Sequence, residues 1–215
     1  MKKKEFFYCI LTYIFIYILL YYFSTIHIKK LELILLKDTL YYAISTLIII
    51  LNIIFFDNTI YEKLKIYVSN LKKEFLIGII IFGGMSLFTI IPFIITKNNE
   101  ILSAKLPSIK ILIYITLFNI FVVAPCEEFV FRGYFFEKLK VICSNSLIAN
   151  IISSILFGLI HYINKRSLAL IIAPTIIGFI FTVFKEKIKN CSLLSLSIAH
   201  GLNNSLISWI SYIFT

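Results

Sequence analysis

The residues of this chain that could do chemistry are few, and they stand where charge is costly. "APCEEFVFRG", residues 124–133, sets Glu127 and Glu128 side by side, with Arg132 four residues after the second. His161 follows in "FGLIH", and His200 and Asn204 in "HGLNN". On either side the chain is almost wholly Ile, Leu, Phe, Tyr and Val. Glu128 and Arg132 have the i, i+4 spacing, acid first, that pairs best on a helix. Glu127, one residue back, points about 100° away and is left as the free carboxylate. A buried carboxylate and an imidazole can take up and pass on a proton near neutral pH. The same residue types also tie helices together without doing any chemistry. Convergence of the set is what separates the two readings.

The elements that must position these residues are membrane spans. Of the chain's 215 residues, 60% are hydrophobic and 15% charged, and the mean hydropathy is +0.96; soluble domains carry about a quarter charged residues. The uncharged runs are 6–28, 39–56, 75–96, 111–126, 141–164, 167–184 and 190–215. Their lengths fall around the ~17–25 residues a helix needs to cross a bilayer. This predicts an all-α polytopic membrane protein, a bundle of about 7–8 transmembrane helices forming a single membrane domain over 1–215. A β-barrel is excluded, because the runs are continuous rather than alternating. The basic start and long apolar run of "MKKKEFFYCILTYIFIYILLYYF" read as a retained first span, since no small-x-small cleavage site follows.

Four cysteines, Cys9, Cys126, Cys143 and Cys191, form no CxxC pair and outline neither a disulfide framework nor a zinc knuckle. The net charge of +10 does not point to nucleic acid. Lys2–Lys4, Lys29/Lys30, Lys63/Lys65, Lys72/Lys73 and Lys185/Lys187/Lys189 sit between spans, where they are expected to anchor helix ends at anionic headgroups. The expected partners are therefore membrane lipids. Lys2–Lys4 favour a cytoplasmic N-terminus. The connection 57–74 is expected to be short and interfacial, 97–110 a small loop, His27 interfacial, and Trp209 and Tyr212 belt anchors.

Pro125 removes a backbone donor and disfavours helix at Ala124. The expectation is one helix over about 108–123, a break at 124–125 and a new helix over about 126–142. A turn at "CSNS", 143–146, then sends the chain back. With residue 144 as pivot, Glu127 lies 17 residues before it and His161 17 after. An antiparallel hairpin brings both to one level, about 25 Å from the turn. His200 and Asn204 share a helix face at i, i+4, roughly 11 and 15 residues beyond a turn near 189. Glu127, His161, His200 and Asn204 are thus expected to line one cavity. The first three spans read as free of ionisable groups. Intramembrane ionisable residues are expensive and usually mark function.

These residues carry a resemblance. "EEFVFRG" is similar to the EExxxR motif, "FGLIH" to FxxxH and "HGLNN" to HxxxN of the CPBP family, in family order and over about 124–204. That family groups type II CAAX prenyl endopeptidases with bacterial bacteriocin-processing and self-immunity proteins. The resemblance implies an intramembrane endopeptidase with a catalytic core over about 108–214, acting on a membrane-associated or hydrophobic peptide. It implies that Glu127 and His161 activate the attacking water and that His200 and Asn204 polarise the scissile carbonyl and stabilise the oxyanion. Glu128 and Arg132 would hold the site together. Such hydrolysis needs a base working near neutrality and donors aimed at the oxyanion, which these residue types supply. Glu127, His161 and His200 are also candidate zinc ligands; a zinc site and a metal-free site call on the same residues.

Two other classes compete. A bacteriocin self-immunity protein would protect by binding a peptide rather than cutting it. A transporter or proton relay would use Glu and His as well, but predicts symmetry between halves, whereas the polar residues here fall in one half. Ile/Lys/Asn-rich usage with little Ala suggests an AT-rich genome, and the expected location is a bacterial cell membrane.

Overall fold

The computed structural model describes residues 2–28, 30–56, 70–96, 108–165 and 168–214. Much of the expected interfacial connection 57–74 and of the loop 97–110 lies outside these residues, as do Lys29, Lys63 and Lys65. The described residues form seven helical runs in chain order. They are α1 (Lys2–Thr25), α2 (Leu31–Phe56), α3 (Leu71–Thr96), α4 (Ile109–Cys143), α5 (Ser146–Lys165), α6 (Ala169–Lys187) and α7 (Leu193–Phe214). Five of them, α1 to α5, are long and apolar enough to cross a membrane. Large apolar side chains such as Phe55, Ile80, Phe88 and Phe121 are exposed on these helices, as lipid contact requires. The chain is an all-α polytopic integral membrane protein.

Pro125 does not break the chain. The run Ile109–Cys143 is one continuous helix, against the expected break at 124–125. The reason lies in two π-helical stretches, Asn119–Val123 and Phe129–Phe135, on either side of an α-helical turn, Ala124–Glu128. In the first, the Ala124 N–H reaches back five residues to the Asn119 carbonyl. A widened turn gives the pyrrolidine ring room beside the carbonyl it would otherwise strike and accommodates the missing N–H. Insertions of this kind recur at functional sites.

The described residues group into two compact units, Met1–Lys65 with Cys126–Ile188, and Ile66–Pro125 with Lys189–Thr215. The first holds α1, α2, the later part of α4, α5 and α6. Its core is aromatic: Tyr13 meets Phe135 edge-on at 5.8 Å, and Phe131 meets Phe157 edge-on at 5.1 Å. The expected turn follows Cys143. Ser144 takes the left-handed conformation at φ 52°, and the Asn145 side chain then accepts from the Leu147 and Ile148 amides, 2.9 and 3.1 Å, to start α5. Phe131 and Phe157 each stand 13 residues from Ser144, so the hairpin keeps the register read from the sequence.

The second unit packs α3 and the first part of α4 on α7 through small residues, which let membrane helices approach closely. A Cβ on Gly78 would lie 2.9 Å from the Ser195 carbonyl, and one on Gly201 would lie 2.7 Å from the Ile120 Cα. The third helix starts before the uncharged run 75–96 and so takes in an acid. Glu74, in the first turn of α3, is buried and accepts hydrogen bonds from Ser192, at 2.7 Å, and Ser195. Ser192 also caps α7 by accepting from the Leu194 amide at 3.1 Å.

Candidate active site

Glu127 and Glu128 sit on the α-helical turn between the two π-helical stretches of α4. Both are buried, 7% and 0% exposed. Glu128 Oε1 lies 3.2 Å from Arg132 Nη1, the i, i+4 pair read from the sequence. The guanidinium is 1% exposed and stands 4.0 Å from the centre of the Phe157 ring, with the Phe181 ring at 5.8 Å. Phe157 in turn meets the His161 ring edge-on at 4.8 Å. His161 Nδ1 lies 2.9 Å from the Phe157 carbonyl, which orients the imidazole. One aromatic side chain therefore connects Arg132 on α4 to His161 on α5.

A glycine makes the slot for the guanidinium. A Cβ on Gly178, in α6, would stand 2.8 Å from Arg132 Nη2 and 3.2 Å from the Phe157 ring. Gly178→Ala is expected to cost the fold about 1–3 kcal/mol, as overpacking of a well-filled core does. Thermal unfolding in detergent checks this; an unchanged midpoint would show that the guanidinium moves aside freely.

Glu127 is not a free carboxylate. Its Oε1 accepts a hydrogen bond from the Tyr42 hydroxyl at 2.9 Å. The carboxylate lies at the wall of a small cavity bounded also by Ile16 of α1, Tyr41 and Ser45 of α2 and Ile160 of α5. Tyr42 is a site residue that reasoning from the sequence missed. It lies 85 positions from Glu127, and it is one of 13 tyrosines in the chain, with no motif to single it out.

The sequence reading of Lys185 is also corrected. Lys185 is fully buried rather than an interfacial anchor. Its ammonium donates to Glu137 at 2.8 Å and to the Arg132 carbonyl at 2.6 Å. That carbonyl belongs to the second π-helical stretch, where the Phe136 N–H reaches back to Phe131; the Ser153 hydroxyl supports the Phe131 carbonyl at 2.9 Å. Lys138 is likewise buried and paired with Glu5. A helical-phase signal for Lys185 was present: Gly178, Phe181 and Lys185 are spaced i, i+3, i+7 and share one face.

His200 and Asn204 belong to the second unit. His200 is buried, 6% exposed, and Asn204 half-buried. They share the α7 face on either side of Gly201, whose missing side chain admits the first π-helical stretch of α4. The neighbouring Asn203 is tied to α3, its side-chain oxygen accepting from Thr89 at 3.0 Å. Among the described residues, no three His, Cys, Asp or Glu side chains are gathered as metal ligands. Of the candidate ligands, Glu127 and His161 belong to the first unit and His200 to the second.

Fold and site define a class: a polytopic helical membrane protein with a buried acid–guanidinium pair, a second buried acid beside it, and imidazoles on the following helices. Residues 109–206 match the profile of the family described as Type II CAAX prenyl endopeptidase Rce1-like. This segment holds all three motifs, and the match is consistent with a CPBP family intramembrane protease. No curated protein and no solved structure matches the chain. The family match supports a CAAX-type intramembrane endopeptidase in general terms.

Proposed function

We propose that the chain hydrolyses a peptide bond in a membrane-associated or hydrophobic peptide, with a catalytic core over about 108–214. Glu127 takes a proton from water, with His161 as its partner, and the hydroxide adds to the scissile carbonyl carbon. His200 and Asn204 donate to the oxyanion that forms. Collapse of the tetrahedral intermediate returns the proton to the leaving nitrogen. Glu128 and Arg132 touch no substrate; they hold the helix on which Glu127 stands.

The observation that supports this reading is the buried Glu127 carboxylate, which accepts a hydrogen bond from Tyr42 at 2.9 Å. Phe131 and Phe157 meet at 5.1 Å, and Glu127 and His161 are each four residues further from Ser144.

The test uses purified protein in detergent with two fluorogenic peptides, one ending in a prenylated CAAX sequence and one an unmodified hydrophobic segment. Mass spectrometry is expected to find cleavage at one internal bond of at least one peptide, absent with His161→Ala. Cleavage that persists undiminished in that variant would overturn the role given to His161.

A further inference from the structure

We infer that Tyr42 is a positioning residue that sets the orientation of the Glu127 carboxylate; the inference rests on the hydrolytic role proposed above. The Tyr42 hydroxyl donates to Glu127 Oε1 at 2.9 Å. A hydrogen bond is electrostatically stronger away from water, and this acceptor is only 7% exposed. The donor is itself held: the Tyr42 ring packs edge-on against the buried Tyr41 at 5.1 Å. α2 therefore supplies a fixed, uncharged donor to the acid on α4.

A glutamate side chain turns about three bonds, and a base works only within hydrogen-bond reach of the proton it removes. A misplacement of about 1 Å costs on the order of 100-fold in rate. Anchoring one carboxylate oxygen removes much of that freedom without adding a charge. Tyr42 is assigned neither the acid nor the base role. Its loss is felt in turnover and not in substrate binding. A purely structural Tyr42, joining α2 to α4, would behave differently. Removing its hydroxyl would lower the folded yield and leave turnover per folded molecule unchanged.

Tyr42→Phe keeps the ring and deletes the donor. Two measurements on the full chain in detergent test it. First, the infrared carboxylate band that disappears in Glu127→Gln is identified as that of Glu127. In Tyr42→Phe this band is expected to move; an unmoved band overturns the inference without any substrate being needed. Second, with whichever fluorogenic peptide the wild type cuts, kcat per folded molecule is expected to fall roughly 10- to 100-fold, the worth of a hydrogen bond to a charged group, with KM within about twofold. Wild-type kcat in Tyr42→Phe beside an inactive Glu127→Gln overturns the role of Tyr42 alone. Full activity in Glu127→Gln overturns both this inference and the hydrolytic reading on which it rests.

Discussion

Glu127→Gln is expected to leave the protein folded and to reduce peptide cleavage by about 10²–10⁴-fold, the usual loss when a general base is removed. The amide is nearly isosteric, and its carbonyl oxygen can still accept from the Tyr42 hydroxyl, now 2.9 Å from Glu127 Oε1. Arg132 keeps Glu128 at 3.2 Å, so no buried charge is stranded. What disappears is the ability to take a proton from water. Initial cleavage rates, with thermal unfolding as the control for folding, measure the effect. The same variant separates catalysis from immunity by binding. Cells carrying Glu127→Gln should lose any peptide resistance that depends on cleavage. Full protection by the variant, with no cleavage by the wild type, would overturn the enzymatic reading in favour of self-immunity by binding.

Glu128→Ala is expected to fail at the level of folding and abundance, with a loss of about 3–5 kcal/mol, the usual cost of breaking a buried ion pair from one side. Arg132 is 1% exposed and Glu128 fully buried. Removing the acid leaves a guanidinium that cannot lose its proton, held against Phe157 at 4.0 Å and far from water. Replacing both partners, as in Glu128→Ala with Arg132→Met, should recover much of the loss, because an apolar substitute for a whole buried pair is often neutral. Folded yield and melting temperature of the single and double variants decide it. Normal yield of Glu128→Ala alone would show that the pair is not what holds this part of α4.

The hairpin was the most legible part of the site. The expected register counts residues equally from the turn at Ser144, and Phe131 and Phe157, equidistant from it, are in contact although Phe129–Phe135 is π-helical. The Glu128–Arg132 pair was legible for a similar reason, since its spacing is local. Pro125 was misleading. Its expected break assumes an α ladder throughout, and the turn before it is π-helical. Lys185 misled in another way. Lysines near span ends usually reach the interface, but this one faces Glu137, 48 positions away in sequence. The pairing that keeps it inside has no local signature.

By itself the sequence determined the class of the molecule, the approximate number of its helices, and the short set of polar residues worth asking about. Charges are so costly in hydrocarbon that their spacing alone maps the spans and makes every exception conspicuous. Only the tertiary structure decided that Tyr42 holds Glu127, that Lys185 is buried, that Gly178 opens the slot for Arg132, and that the chain runs helically through Pro125. The first three depend on which face of one helix meets another, and the last on a local change of hydrogen-bond register within α4. A sequence records the phase of each helix, but the partner facing that phase exists only once the helices have packed.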